Sequence, residues 1–284
     1  MNKILFFTLT LALVVCTTLW ARGLEHDTQE IDAENAKTVA ISGDFAVGEF
    51  LVTGEDISAV AVFDIHYDPR EMDYDIDYEV EGGTGFLDID SYSRRNHDLD
   101  TEDSQWEIVL SNRYPVTLDL DIGACEAEFD LGGIPLTELS LEIGAASVEI
   151  IFSEPNPERL EEISIEAGAS SVEMESIGNA NFDEFSFEGG VGSFDLDFRG
   201  EYSGESEISI ELGMGSADII LPRGVPVRVE TSGDNWLSSI DFHNDNLEEI
   251  DDDLYESDDF DRAKNRIILE LDLGMGSIDV YWKK

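Results

Sequence analysis

Glu211-Leu-Gly-Met-Gly-Ser-Ala-Asp-Ile-Ile-Leu221 returns almost letter for letter as Asp272-Leu-Gly-Met-Gly-Ser-Ile-Asp-Val-Tyr-Trp282. Looser copies set the repeat glycine at Gly83, Gly123, Gly144, Gly168, Gly190, Gly213 and Gly274. Each copy is an apolar-polar alternation, a small-residue corner and a second alternation. The arm before the glycine carries Leu118, Leu120 and Ile122, then Leu139, Leu141 and Ile143, then Ile163 and Ile165. It continues with Phe185 and Phe187, with Ile208, Ile210 and Leu212, and with Leu269, Leu271 and Leu273. The arm after it carries Val148, Ile150 and Phe152; Phe194, Leu196 and Phe198; Ala217, Ile219 and Leu221; Ile278, Val280 and Trp282.

Side chains two apart on a strand share a face, so each copy offers one apolar row. At roughly 1.5–3 kcal/mol per buried large side chain, one copy cannot offset its ordering entropy, whereas several stacked copies can. Glycine steps of 21, 24, 22 and 23 between Gly123 and Gly213 lie in the range of solenoids and arrays. The step of 40 before Gly123 and the step of 61 before Gly274 predict degenerate rungs in the gaps. No amphipathic helix follows the N-terminal apolar run. The expectation is therefore an all-β, solenoid-like stack with glycine corners. Its N-terminal part is 38–115 and its C-terminal part 116–284, the two continuous.

The polar positions are more regular still. Two residues before the glycine stand Glu81, Asp121, Glu142, Glu166, Glu188, Glu211 and Asp272. Five residues after it stand Asp88, Glu128, Glu149, Glu173, Asp195, Asp218 and Asp279. Side-by-side rungs about 4.8 Å apart turn these into two columns, each adjacent pair repelling by roughly 0.9 kcal/mol in water. One reading is a solvated negative face that blocks edge pairing. The other is weak chelation of Ca²⁺ or Mg²⁺ by oxygen ligands.

Composition agrees with an acidic surface: 65 Asp and Glu against 16 Lys and Arg give a formal net charge of −49 in 284 residues. Such a polyanion repels nucleic acid and anionic lipid head groups, so neither is an expected partner. Scarce lysine suits a saline medium, where screening relieves self-repulsion. The N-terminus reads as an export signal over 1–21, with Lys3, the apolar run Ile4 to Val15, and Ala21 as the small residue for cleavage. A retained anchor and lipidation at Cys16 are the alternatives left open. Removal of the signal leaves Cys125 as the one thiol, which allows no intramolecular disulfide.

A polar lead follows at 22–37, then strands over Lys37–Gly43, Phe45–Thr53 and Ala59–Ile65. Asp73 to Glu81 alternates strictly and reads as a half-buried strand, not a calcium loop, since Tyr78 stands where such a loop needs glycine. Ser91–Ser104 and the acid-rich Asn244–Arg262 read as solvated loops. Gly-x-Gly here lacks the third glycine and the following helix of a dinucleotide fingerprint. No nucleophile elbow, zinc motif or paired cysteine occurs, and His26, His66, His97 and His243 are scattered. No catalytic, cofactor-binding or metal-ligating residue stands out, and the chain is read as no enzyme.

The repeat resembles the toast-rack family of exported bacterial proteins, as do the opening Gly43-Asp-Phe-Ala-Val-Gly-Glu-Phe-Leu-Val52 and the segment Tyr78-Glu-Val-Glu-Gly-Gly-Thr-Gly85. Leu120-Asp-Ile-Gly-Ala-Cys-Glu-Ala-Glu-Phe129 and Leu221-Pro-Arg-Gly-Val-Pro-Val-Arg-Val229 extend the likeness over residues 38 to 284. Related signatures occur in adhesin-like β proteins and in the C-terminal domain of LiaF-like proteins. The resemblance implies an exported β stack of the periplasm or cell surface, and no reaction. Its expected role is a non-catalytic scaffold or interaction module for an envelope protein or surface glycan. A Ca²⁺-dependent adhesin and a carbohydrate-active solenoid are the alternatives.

Overall fold

The computed structural model describes residues 24–94, 104–232, 237–243 and 247–284. The expected export segment at 1–21, with Cys16, and residues 95–103 of the expected loop lie outside the described residues. No helix long and apolar enough to cross a membrane occurs among the described residues.

The strands in chain order are β1 (Glu25–Asp32), β2 (Thr38–Glu55), β3 (Ala59–Tyr67), β4 (Met72–Glu81), β5 (Thr84–Ser93), β6 (Ser104–Ser111), β7 (Val116–Asp130), β8 (Leu136–Ile143) and β9 (Ser147–Ile151). They continue with β10 (Leu160–Glu175), β11 (Phe182–Asp197), β12 (Glu205–Pro222), β13 (Val227–Ser232), β14 (Ser238–His243), β15 (Leu247–Asp251), β16 (Leu254–Ser257) and β17 (Arg266–Lys283). The repeats form a parallel stack in register. Its order is β5 with β6, then β2, β7, β8 with β9, β10, β11, β12, β17, and finally β13 with β14. The chain is all-β, as the alternation predicts.

Each rung turns a corner, and the burial pattern records how. In β12 the buried residues are Ile208, Ile210 and Leu212 before Gly213, then Ala217, Ile219 and Leu221 after it. The alternation changes from even to odd across the corner. A one-residue shift in a strand reverses its faces, so a corner with one such shift keeps both arms turned toward one core. It also leaves Glu211 and Asp218 both outside, although they are seven residues apart. Every arm residue named from the sequence is buried.

Loops close the third side of the stack with their own apolar groups, among them Leu131, Ile134, Ile177 and Ala180. Buried polar groups there are paired, as a dry interior demands. Asn156 Nδ2 donates to the Leu136 carbonyl at 2.8 Å and the Ala180 carbonyl at 3.2 Å, so one side chain joins the loops of successive rungs.

Both ends of the stack finish in antiparallel pairs. At one end β4 lies on β5, β3 on β6, and β1 on β3. At the other, β16 lies on β13 and β15 on β16. The last strand, β17, is wedged between β12 and the rung of β13 and β14.

The structure corrects several sequence expectations. Gly83 is no corner: with Gly82 it makes the tight turn between β4 and β5, both at positive φ. Glu81 therefore ends a hairpin strand, and Asp88 leaves its expected column to accept a hydrogen bond from Ser42 Oγ at 2.5 Å. The gap before Gly123 holds one degenerate rung, split into β5 and β6, as its length predicts; the gap before Gly274 holds one, split into β13 and β14, with the antiparallel β15 and β16 in place of a second. Within Asn244–Arg262, residues 247–262 form β15, β16 and a 3-10 turn at Phe260–Arg262 rather than a solvated loop. Phe260 is buried there because the Arg228 and Arg266 guanidinium groups lie over its ring, at 4.2 and 5.1 Å from the centroid. The polar lead at 22–37 carries β1.

Candidate functional site

In-register stacking places identical positions side by side. The column before the corner runs Asp90, Asp44, Asp121, Glu142, Glu166, Glu188, Glu211 and Asp272. The column after it runs Glu128, Glu149, Glu173, Asp195, Asp218, Asp279 and Asp241. Sequence spacing found the members from Gly123 onward. It missed Asp44, Asp90 and Asp241, whose rungs lack the motif and are recognisable only from their pairing partners.

Between the columns lie two further files. One is hydroxyl: Ser147, Ser171, Ser193, Ser216, Ser277 and Ser239. The other is a ridge of small and apolar residues, ending in Val191, Met214, Met275 and Leu237. Val191 is 54% exposed, Met214 46%, Met275 38% and Leu237 42%. Large side chains left this open on consecutive rungs are unusual in a folded chain.

The corner glycines shape the surface beside the first column. A Cβ on Gly144 would lie 2.9 Å from the Gly123 carbonyl oxygen, on Gly190 2.6 Å from that of Gly168, and on Gly213 2.9 Å from that of Gly190. Real Cβ atoms do not sit so close, so the rungs approach one another only where the side chain is missing. The result is an open groove of about 580 Å³ whose floor is glycine backbone and whose wall is Asp44, Asp121, Glu142, Glu166, Glu188 and Glu211.

Charge crowding is felt along both columns. The carboxylates of Asp121 and Glu166 beside Glu142 push its carboxyl up. Partial burial, then Glu128 and Glu173, raise Glu149. Burial, then Asp218, raises Asp195; burial, then Asp121 and Asp90, raises Asp44. Partial removal from water and like charges nearby both disfavour the ionised form. The face can bind cations or cationic groups and can shed charge by taking up protons.

The buried thiol of Cys125 lies apart from this face and donates to the Phe45 carbonyl at 3.4 Å. Burial pushes the thiol up to about 12, which removes the nucleophilic thiolate. The histidines are not all scattered. His26 and His66 stack on one another beside Asp64. His243 lies 2.8 Å from Asp279 and stacks on Tyr281.

Comparison with known proteins decides the family. A family model described as the N-terminal domain of toast_rack, DUF2154, matches residues 21–175, more than half of the chain. The chain belongs to the toast-rack family. A second model, described as the C-terminal region of the cell wall-active antibiotics response protein LiaF, matches residues 171–280 of this toast-rack chain. No curated protein matches in sequence. Among solved structures, a candidate cell adhesion protein from Clostridium sporogenes is similar at a TM-score of 0.50 and 19% identity, over 92% of this chain and 100% of that one. That likeness shows the fold alone. A candidate adhesin from Bacteroides fragilis covers 91% of this chain and 97% of its own at 12% identity and a TM-score of 0.38. One from Parabacteroides distasonis covers 90% and 96% at 8% identity and a TM-score of 0.41.

Proposed function

We propose that this toast-rack chain is an exported, non-catalytic interaction module of the cell envelope whose binding face is the corner surface. The observation that carries the reading is the order of files on that surface. An exposed apolar ridge of Val191, Met214, Met275 and Leu237 runs between two carboxylate columns on the same rungs. Such a face suits a partner that presents positive charge around an apolar contact, and the columns would steer it in. The partner on this reading is a protein or glycan of the envelope carrying cationic groups. Export rests on the N-terminal apolar run, with Cys16 as the residue that a lipid anchor would modify. The name of the matched cell wall-active antibiotics response family supports an envelope setting.

The non-catalytic part of this reading rests on the sequence, which holds no nucleophile elbow, zinc motif or paired cysteine.

A second reading is favoured by Glu142, whose two column neighbours raise it. A divalent cation between rungs would relieve that repulsion, which makes partner binding Ca²⁺-dependent.

A photo-crosslinker placed at residue 214, in intact cells with and without chelator, tests both. A discrete adduct that survives chelation and is lost with Met275→Glu supports direct recognition. An adduct lost on chelation supports the Ca²⁺ reading. No adduct from residue 214 or from residue 191 overturns the corner surface as the binding face.

A further inference from the structure

Away from the corner face, the pairing of β1 with β3 assembles a different set of groups. His26 stands directly opposite His66 in the antiparallel ladder. Asp64 shares their face, because side chains two apart on β3 point the same way. The two imidazoles stack with centroids 4.2 Å apart and planes 5° from parallel. Asp64 Oδ1 is 2.9 Å from His26 Nε2 and 3.3 Å from His66 Nδ1. All three ligand atoms lie within 4.8 Å of one another.

The donor set selects the ion. Calcium and magnesium take oxygen ligands, which the acidic columns offer in excess; two imidazoles and a carboxylate suit Zn²⁺ and its neighbours Ni²⁺ and Cu²⁺. Tetrahedral ligands at about 2.0–2.1 Å from zinc are about 3.4 Å from one another. The His66 to Asp64 separation already has that length, the His26 to Asp64 separation needs a few tenths of an ångström, and one imidazole has to rotate out of the parallel stack so that both nitrogens face one ion. Side-chain exposures of 53% for His26, 39% for Asp64 and 32% for His66 leave room for water or an outside ligand in the remaining position.

We propose that His26, Asp64 and His66 form a zinc-class metal site that staples β1 to the sheet. β1 is an edge strand with six of its eight residues exposed, so little apolar burial holds it. Among its residues Glu25, Asp27, Glu30 and Asp32 are acidic, and the field of the whole chain concentrates cations at such a site. A dication joining His26 to the two β3 ligands ties β1 to the antiparallel cap at this end of the stack. Without metal, Asp64 is only a carboxylate shared by two imidazoles.

Titrate the full chain with Zn²⁺ calorimetrically in excess Ca²⁺, which occupies the oxygen-only columns. One Zn²⁺ per chain is expected. Affinity should fall in His26→Ala and in His66→Ala by more than the roughly 10–100-fold that losing an outer-shell partner costs. His243→Ala, which removes the other His–Asp pair, should leave binding unchanged. Hydrogen exchange over residues 25–32 should slow on Zn²⁺ addition in the parent chain and not in His66→Ala. Metal-free melting temperatures of the variants near the parent's show that the fold is kept. An unchanged isotherm in the His26→Ala, His66→Ala double variant, or no Zn²⁺ binding in excess Ca²⁺, overturns the site. Zn²⁺ bound at these residues without slowed exchange overturns the staple.

Discussion

Gly276 lies beside Gly215 in register on the neighbouring rung, and a Cβ built on Gly276 would stand 1.8 Å from the Gly215 carbonyl oxygen. Gly215 repeats the relation with Gly192, at 2.1 Å. The backbone is also at φ +132 in Gly276 and +152 in Gly215, a region that L residues avoid. Gly215→Ala and Gly276→Ala should each destabilise by at least the roughly 1–3 kcal/mol of a strained backbone position, since two rungs must also part. Gly82→Ala, at φ +62 with nothing within 4 Å, isolates the backbone cost of about 1–2 kcal/mol. Denaturant melts that rank Gly82→Ala as the more damaging change would refute close rung approach as the role of these glycines.

The columns make stability depend on pH in a direction that can be worked out. Glu142, Glu149, Asp195 and Asp44 are raised above the ordinary 4.5 of Glu and 3.8 of Asp. A carboxyl raised in the folded state binds its proton more tightly there, so its charge opposes folding at neutral pH. That opposition is withdrawn as pH falls through the raised folded values toward the unfolded ones. Asp27 and Asp56 run the other way: hydrogen bonds from Tyr74 and Arg113 lower them, and their contribution is lost only as pH falls below 3.8. The melting temperature at low ionic strength should therefore climb from neutral pH down to the carboxylate range, then drop. In molar salt the climb should flatten. A melting temperature that is level or falling over the first part of that window contradicts the account.

Neutralising one column member gives the same physics a local form. Glu188 lies between Glu166 and Glu211 in the first column. At rung spacing each like-charge neighbour costs up to about 0.9 kcal/mol in water, so Glu188→Gln should stabilise by up to about 1–2 kcal/mol at low salt. The gain should vanish in molar salt, and a gain that persists there would point to packing rather than charge.

What the sequence made legible follows from what stacking needs. The two arms of β12 are a fair example of the strong signal: Ile208, Ile210, Leu212, Ala217, Ile219 and Leu221 recur in period two with a fixed corner, and all are buried. Acids from Asp121 to Asp279 were found because a regular rung fixes their distance from the glycine. Caps carry no such rule. β17 pairs with β12 across the whole of β13–β16, and nothing in chain order announces that insertion. Gly83 has the right neighbours for a corner and the wrong backbone, a turn at φ +96. His26 and His66 are 40 residues apart, and only the antiparallel register of β1 on β3 makes them opposite.

Cys125 tests burial of the corner's inner side. Its side chain is inside the rung and its thiol is raised to about 12, chiefly by burial. Alkylating reagent at mildly alkaline pH should leave the peptide holding Cys125 unmodified in the native chain and modify it after denaturation, with Cys16 followed separately by mass. Fast native labelling of Cys125 would mean that the corner opens between β2 and β7.

The C-terminal cap turns on Phe260, the one aromatic residue of its 3-10 turn. It is 1% exposed, with Arg228 from β13 and Arg266 from β17 over its ring. Arg228 also holds Glu256 of β16 at 2.6 Å, so ring and ion pair fix the same guanidinium. Burying the ring thus ties an otherwise acidic segment to the last strand of the chain. Phe260→Ala should cost about 3–5 kcal/mol, as removal of a buried aromatic ring does. The loss should concentrate at one end: exchange over 247–257 should quicken while β10 and β11, in mid-stack, stay protected. Phe260→Leu, keeping an apolar filler without the ring face, should recover part of the stability and leave exchange near Arg228 faster than in the parent. Equal loosening of β10 and β11 would mean that the cap and the stack unfold as one unit, and that Phe260 supports the whole solenoid rather than its end.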